Sequence, residues 1–279
     1  MKPAPGADTV KRVKVGLALS GGTAKSVAHI GVLKALLENG IPIDYLAGTS
    51  GGSLVAAFYA AGKSIKEIEA LADGIHWKNV AGFTIPRLGL LSSDKIRTFV
   101  VDQLGDIEIE DLAISVAIVV SDLTTGKGVV LTRGKVSIAC QASSSIPEFY
   151  TPVETEGHIF IDGGFSEYVP VAALASLGRM FKIGVNLGFE KGPRKKPRNL
   201  IEMTLQTANF IAQQNAAASE RRADFMIRPD LRRFGPLELH KASDILEQGY
   251  IETLKIIPEL EAAIKAFRPR AVSSRQKSL

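Results

Sequence analysis

The chain has 279 residues, of which 46% are hydrophobic and 23% are charged, and its mean hydropathy is +0.13. This is the composition of an ordinary globular protein with enough apolar side chains for one large core, so a single domain is expected. The net charge of +5 is spread thinly along the chain, which argues against nucleic acid as a partner.

Cysteine usage and apolar runs exclude two further classes of protein. The single cysteine, Cys140, rules out an internal disulfide framework and fits a reducing compartment. The pair Gly21-Gly22 interrupts the first apolar run too early for a signal peptide, and no uninterrupted apolar stretch reaches the roughly 18 residues of a membrane-spanning helix. A soluble, cytoplasmic protein is therefore expected.

Apolar periodicity predicts alternating strands and helices between two tails. Residues 1–11 are expected to form a flexible N-terminal tail and residues 268–279 a flexible basic C-terminal tail, around one domain at 12–267. Strands are predicted at 13–19, 43–47, 115–120, 128–132, 158–161, 181–187 and 225–228, and helices at 26–39, from the turn at 48–52 to about 62, and at 136–143, 200–214 and 243–267. This alternation predicts an α/β fold with a largely parallel sheet, helices on both faces and right-handed crossovers.

The most informative motif is Gly48-Thr49-Ser50-Gly51-Gly52, which lies between a predicted strand and a predicted helix. A serine in so tight a turn needs small neighbours, because the backbone that projects its hydroxyl leaves no room for side chains at Gly48 and Gly52. At the N-terminus of a helix, free amides and the macrodipole also favour developing negative charge. Ser50 is therefore a candidate nucleophile, and a simple N-cap followed by turn glycines is the alternative.

A second glycine-rich segment, Ser20-Gly21-Gly22-Thr23-Ala24-Lys25-Ser26, joins the first predicted strand to the first predicted helix. Its backbone amides could surround an anion, either a phosphate or the oxyanion of an acyl-transfer reaction. The spacing does not fit a Walker phosphate loop, since Gly22 stands where lysine is required, and it does not fit a dinucleotide fingerprint. Taken alone, the segment is equally well explained as the start of a helix.

An aspartate ends another predicted strand. Asp162 follows a short apolar run and precedes Gly163 and Gly164, which permit close approach of the backbone. A carboxylate beside a serine hydroxyl can accept its proton, provided that burial raises the carboxyl pKa toward neutral pH. A turn or helix-capping aspartate is the alternative explanation.

The four histidines lack the sequence context of a catalytic base. His29 lies within the helix after the glycine-rich segment, where a packing or loop-orienting role is expected, and His76 lies in a loop. His158 belongs to a predicted strand. His240 alone follows Asp162 in the order of a Ser-Asp-His triad, without glycine or turn residues around it. A Ser-His-Asp esterase stays open as an alternative.

Together, the three motifs resemble the patatin-like phospholipase family, whose pattern is a glycine-rich oxyanion loop, a Gly-X-Ser-X-Gly turn and a downstream Asp-Gly-Gly. The similarity continues in Ala28-His29-Ile30-Gly31-Val32-Leu33, in Ala142-Ser143-Ser144-Ser145-Ile146-Pro147 and in Val169-Pro170-Val171, and it covers roughly residues 13–187. The resemblance implies a patatin-like three-layer α/β/α fold with a mainly parallel central sheet. It also implies hydrolysis of ester bonds in phospholipids or other lipids by a Ser-Asp dyad, with no metal and no other cofactor.

Carried over residue by residue, the resemblance assigns the nucleophile to Ser50 and the general base to Asp162. The oxyanion and substrate-binding positions match Gly21, Gly22, Thr23, Ala24, Lys25 and Gly51. The glycines that frame the two catalytic motifs are Gly48, Gly52, Gly163 and Gly164. Apolar residues at 58–59 and 83–91 are candidates for an acyl channel, with ordinary core packing as the alternative.

Two departures from the family pattern bear on activity. Thr23 stands where the family has its third loop glycine, and Ser26 stands where it has the glycine after the basic residue, so a more restricted loop backbone is expected. These departures support a second interpretation, a weakly active lipid- or membrane-binding regulatory module. An acyltransferase would use the same residues with an alcohol in place of water.

The expected partner is a lipid or another acyl ester. Residues 190–198, with proline, glycine and five basic side chains, are predicted to be an exposed loop and the main basic patch. Together with residues 228–233, they motivate the hypothesis of peripheral contact with an anionic membrane, at the inner membrane face.

Overall fold

The computed structural model describes residues 12–75, 82–83, 88–188 and 196–268. Its strands are β1 Val15–Leu19, β2 Tyr45–Thr49, β3 Gly82–Phe83, β4 Gly89–Ser92, β5 Ser115–Asp122, β6 Lys127–Leu131, β7 Glu148–Tyr150, β8 Val153–Thr155, β9 His158–Asp162, β10 Phe181–Val185 and β11 Phe225–Ile227. In these ranges, the central sheet has the strand order β11-β10-β1-β2-β5-β9-β8, and β6 also pairs with β5. A small second sheet has the order β3-β4-β7.

The central sheet is mainly parallel. β11, β10, β1, β2 and β5 run in one direction, whereas β6 and β9 are antiparallel to β5, and β8 is antiparallel to β9. Short connections explain two of the three antiparallel pairs, because β6 follows β5 and β9 follows β8 after only a few residues, which is too short for the crossover that a parallel pair requires. The predicted α/β fold with a mainly parallel central sheet is confirmed.

Helices cover both faces of this sheet. They are α1 Ala28–Glu38, α2 Gly51–Ala60, α3 Ile65–Gly74, α4 Asp94–Leu104, α5 Val136–Ser143, α6 Val171–Ser176, α7 Leu200–Glu220, α8 Ala242–Leu254 and α9 Ile257–Ala266. One face of the sheet carries large residues such as Leu17 and Leu46, which pack in one core with α1, α2 and α8. The opposite face carries small residues such as Ala18 and Ala47, and this lets α6 and α7 lie close to the sheet.

Four helical regions differ from the sequence-based expectation: the segment at 243–267, and α3, α4 and α6, which were not predicted. The predicted single helix at 243–267 is wrong, because the chain forms α8 and α9 there, and Pro258 lies in the first turn of α9, where its missing amide proton is tolerated. The unpredicted α3 starts with a capping box, in which the Ser64 hydroxyl accepts from the Glu67 amide and the Glu67 carboxylate accepts from the Ser64 amide.

Several sequence-based expectations fall outside the described residues. They include the N-terminal tail at 1–11, nearly all of the C-terminal tail at 268–279 and most of the basic segment at 190–198. Along the described ranges, no helix combines the length and the hydrophobicity that crossing a bilayer requires.

Candidate active site

Two strands that end against the same edge of β5 bring Ser50 and Asp162 together. β2 runs along β5 until Thr49 lies opposite Val119, and β9 approaches from the other end until Asp162 lies opposite Val120. Both strands must use the same edge, because β6 occupies the other edge over the same stretch. Residues 50 and 162, which are far apart in the chain, therefore meet at adjacent positions of the sheet.

Ser50 occupies a strained turn between β2 and α2. Its φ of 54° and ψ of −132° lie in a region that residues other than glycine rarely adopt. The turn closes only with glycine on both sides, since a Cβ at Gly52 would lie 2.4 Å from the Leu19 carbonyl oxygen and a Cβ at Gly48 would lie 2.4 Å from the Ser53 Cα. The strand, turn and helix around this motif thus have the arrangement predicted from the sequence, with a buried Ser50 that lines a pocket.

Asp162 is buried, and its carboxyl interacts with the Ser50 side chain. Burial raises the Asp162 pKa from its ordinary value of 3.8 to about 6, and the contacts with Ser50 and with the Gly164 amide partly oppose that rise. The Gly164 amide donates to Asp162 Oδ1 at 2.7 Å. A carboxyl with this pKa is mostly ionised at neutral pH and still basic enough to accept a proton. Contacts between a nucleophile and its base often shorten when substrate binds.

A serine-rich segment at the end of α5 holds both residues in place. The Ser143 hydroxyl accepts a hydrogen bond from the Ser50 amide at 2.8 Å and donates one to the Val119 carbonyl at 2.7 Å. The Ser145 carbonyl accepts a hydrogen bond from the Asp162 amide at 2.9 Å. In the sequence, this segment is identified only through the family resemblance, and the structure shows that it links the serine turn to the aspartate.

The glycine-rich loop lies beside Ser50 and presents backbone amides. The Gly21 amide donates to the Tyr168 carbonyl and the Ala24 amide donates to the Pro236 carbonyl, so both are already engaged. Within the described ranges, no hydrogen bond engages the amides of Gly22, Thr23 and Gly51. Since the first two of these residues line the same pocket as Ser50, their amides can stabilise an oxyanion there.

Thr23 and Ser26, the two departures from the family pattern, are accommodated by their surroundings. Thr23 adopts a φ of 48°, a left-handed conformation that glycine reaches at lower cost, and its hydroxyl donates to the Gly22 carbonyl at 2.7 Å. The Ser26 side chain fills the space beside Gly51, where a Cβ would lie 2.1 Å from Ser26 Oγ. The loop backbone is therefore more restricted at Thr23 than it would be with glycine at that position, as expected.

A pocket of about 260 Å³ opens over Ser50 and Asp162. Its apolar lining residues are Ile146, Phe165, Tyr168, Leu205, Ala208, Ala212, Phe234 and Pro236. Two cationic residues, Lys25 and Arg232, also line it, and the Arg232 guanidinium is held by the Asp230 carboxylate at 2.9 Å from Nε and 2.5 Å from Nη2. Sequence reasoning assigned Lys25 to the site, but it assigned Arg232 only to the basic segment at 228–233 and did not assign α7 to the site, because neither carries a recognisable motif.

No described histidine lines the pocket. His29 is buried in α1, its Nε2–H donates to the Ser20 carbonyl at 2.8 Å, and burial lowers its pKa to about 4, so it is neutral and orients the glycine-rich loop. His158 Nδ1 lies 2.8 Å from the Asp122 carboxylate. His240 is exposed, and His76 lies outside the described residues.

Other candidate groups also lie away from the pocket. Phe58 does not line an acyl channel but packs edge-on against Phe99 in the core, so that interpretation of residue 58 is wrong, and part of the segment at 83–91 lies outside the described residues. Cys140 is buried, and burial raises the pKa of its thiol to about 12, which makes it a packing residue. In the part of the chain that the structure describes, no group of three or more His, Cys, Asp and Glu side chains is arranged as a metal site.

Comparisons with known proteins agree with this geometry. A family model for patatin-like phospholipase matches residues 17–175, which is more than half of the chain. An uncharacterised NTE family protein of Mycobacterium tuberculosis is 37% identical over 206 residues, which is 69% of this chain and 55% of that protein, so the chain spans about half the length of this relative. Lysophospholipase nte1 of Aspergillus fumigatus is 24% identical over 295 aligned residues, which is 94% of this chain and 19% of that protein.

Among solved structures, VipD from Legionella pneumophila has a similar fold, with a TM-score of 0.53 and 14% identity over 89% of this chain and 67% of that chain. The family match covers both the serine turn and the aspartate that meets it on the edge of β5. The chain belongs to the patatin-like phospholipase family.

Proposed function

We propose that the protein is a serine acyl-hydrolase with Ser50 as nucleophile and Asp162 as general base, and that its substrate is a lipid ester with one acyl chain and an anionic headgroup. The observation that carries this proposal is the pairing of a strained serine, facing a pocket, with a buried carboxyl whose pKa is about 6. The amides of Gly22 and Thr23 beside the pocket supply the stabilisation that an oxyanion needs. Family membership supports a lipid ester as the substrate.

The geometry supports a two-step reaction. In the first step, the Asp162 carboxylate accepts the Ser50 proton while Oγ attacks the ester carbonyl carbon, and the carbonyl electrons move onto the oxygen. The oxyanion then collapses, the bond to the headgroup alcohol breaks, and that alcohol leaves with the proton from Asp162. In the second step, Asp162 accepts a proton from water, which attacks the acyl-enzyme and releases the fatty acid as Ser50 regains its proton.

The size and charge of the pocket favour this substrate class. At about 260 Å³, the pocket is just below the usual range for small-molecule sites, which begins at roughly 300 Å³, so it suits one acyl chain better than two. Among the described residues that line the pocket, Lys25 and Arg232 are cationic and stand against one acidic residue, Asp162, in a lining that is otherwise apolar and uncharged polar. Asp230 engages the Nε and Nη2 side of the Arg232 guanidinium, which leaves the other edge to bind a phosphate oxygen.

Fatty-acid release tests the proposal, with lysophosphatidylglycerol, diacyl phosphatidylglycerol and monoacylglycerol as substrates and the Ser50→Ala protein as the blank. We expect release from the lysophospholipid to be roughly tenfold faster or more than from the other two, since a second chain does not fit and a neutral headgroup loses the cationic contacts. Equal rates would contradict the substrate class alone. A folded wild type that hydrolyses none of them and does not react with a fluorophosphonate would contradict the hydrolase proposal and favour the regulatory module.

Ser143 is expected to act as a positioning residue for the serine turn. In Ser143→Ala, the Ser50 amide and the Val119 carbonyl lose their shared partner, so we expect kcat to fall by about tenfold or more with KM little changed, and stability to fall by about 1–3 kcal/mol. Ser137→Ala is the matched control, because Ser137 lies on the same helix and its buried hydroxyl has no hydrogen-bond partner in the described chain. Similar kinetics for the two variants would show that the Ser143 hydroxyl does not position the nucleophile.

A further inference from the structure

The outward face of α7 is an exposed strip without charged residues. Leu200, Met203, Phe210 and Ile211 are 74%, 54%, 55% and 38% exposed. From Met203 to Ser219 the sequence contains no Asp, Glu, Lys or Arg. A solvated helix face normally carries charges, so this strip is built to contact something other than water.

Basic residues flank the strip at both of its ends. Lys196 and Arg198 precede α7, Arg221 and Arg222 follow it, and all four are exposed. The two acidic residues at the ends of the run are each ion-paired, Glu202 with Arg198 and Glu220 with Arg228. A rotation of 100° per residue places Arg221 on nearly the same side of the helix as Phe210. An uncharged, mainly apolar strip with cations beyond both of its ends is the pattern of a helix that lies in the interface of an anionic membrane.

The size of the strip favours a lipid surface over a second protein. A helix of this length is about 30 Å long and presents a face roughly 10 Å wide, which gives about 300 Å². A stable protein interface buries about 800 Å² on each partner. Insertion of a few side chains into a bilayer has no such requirement, because binding grows with each buried apolar group and each basic residue near the headgroups.

The inner face of the same helix lines the catalytic pocket. Leu205, Ala208 and Ala212 contribute to the lining, while Met203 and Phe210 point away from it into solvent. A membrane bound to the outer face would therefore lie one helix diameter from the pocket, about 10 Å. We infer that the outward face of α7 docks on anionic lipid bilayers and brings the pocket to its substrate. The delivery of substrate rests on the proposed function, whereas docking itself needs no catalysis.

Vesicle co-sedimentation at low salt tests the inference, with vesicles of phosphatidylcholine alone and of equal parts phosphatidylcholine and phosphatidylglycerol. We expect the wild type to bind the anionic vesicles, and the double variant Met203→Gln with Phe210→Gln to bind them roughly tenfold more weakly or worse. The double variant Lys196→Ser with Arg221→Ser should bind several-fold more weakly, with a smaller dependence on salt. Neither pair lines the pocket, so hydrolysis of a soluble nitrophenyl ester should be unchanged.

The matched control is Ile251→Gln with Leu254→Gln, because these residues are 41% and 38% exposed on α8, which packs on the opposite side of the central sheet. Vesicle binding by this control should equal that of the wild type. The inference would be overturned if the Met203/Phe210 variant and the Ile251/Leu254 control lost vesicle binding equally. It would also be overturned if the wild type did not bind anionic vesicles. Light scattering without lipid that shows a dimer abolished by the α7 pair would overturn it in favour of a second copy of the chain. A wild type that binds the vesicles but does not hydrolyse the ester would contradict the proposed function alone.

Discussion

Replacing Ser50 with alanine is expected to lower the hydrolysis of a short-chain nitrophenyl ester by at least about a thousandfold and to abolish labelling by a fluorophosphonate. Ser50 is the serine that the strained turn presents to the pocket, and among the described residues it is the only serine in the pocket lining. Asp162→Asn should cause a loss of similar size, because a neutral amide cannot accept the Ser50 proton. Steady-state kinetics and gel fluorescence of the labelled protein measure both effects.

Asp122→Asn is the control for the aspartate. Asp122 is also buried and also lies at the end of a strand, but it contacts His158 and Thr125 and does not line the pocket. Its variant should retain most of the activity. His76→Ala, His158→Ala and His240→Ala should also retain it, and a thousandfold loss in any one of them would support the Ser-His-Asp alternative instead of the dyad.

The same Asp162→Asn variant is expected to be more stable than the wild type at neutral pH. The ordinary aspartate pKa is 3.8 and the folded value is about 6, so between these values the folded protein binds a proton that the unfolded chain has released. Stability therefore falls as pH rises through this window, and above it the buried charge costs about 1–3 kcal/mol. Asparagine removes that cost, and denaturant titration at several pH values measures the gain.

Two pH dependences test the raised Asp162 pKa directly. The gain should vanish as pH falls below 3.8, where Asp162 is protonated in both states, and kcat/KM of the wild type should rise with pH to a plateau above about 6. Asp122 should show the opposite sign, because hydrogen bonds from Thr125 and His158 outweigh burial and hold its pKa at about 2. Asp122→Asn should therefore destabilise the protein at neutral pH. A wild type and an Asp162→Asn protein with the same stability at every pH would contradict the raised pKa.

Local sequence determined the parts of the site that depend on backbone geometry. The turn around Ser50 could be predicted because its backbone approaches β1 and α2 so closely that only glycine fits at Gly48 and Gly52. The alternation of apolar runs likewise predicted most of the central strands and the mainly parallel sheet. Element boundaries were less well predicted: the sequence indicated one helix at 243–267, although a new helix starts at Ile257 with Pro258 in its first turn.

Sequence alone, without the family resemblance, also left the partner of Ser50 open. His240 and Asp162 were both possible in chain order, and Asp162 could equally have been a turn residue. Asp162 becomes the partner because of how the strands pair: β2 and β9 lie along the same edge of β5 and end at adjacent residues of that strand. Strand periodicity indicates which side chains face the core, but it does not indicate which strands become neighbours.

By itself, then, the sequence determined the α/β class, the strained serine turn and the glycine-rich loop, because each has a pattern that can be recognised within a short stretch of the chain. Only the tertiary structure decided that Asp162 faces Ser50, that Ser143 holds the serine turn, and that α7 and Arg232 complete the pocket. The physical reason is that burial, the raised Asp162 pKa and the shape of the pocket all arise from contacts between segments far apart in sequence.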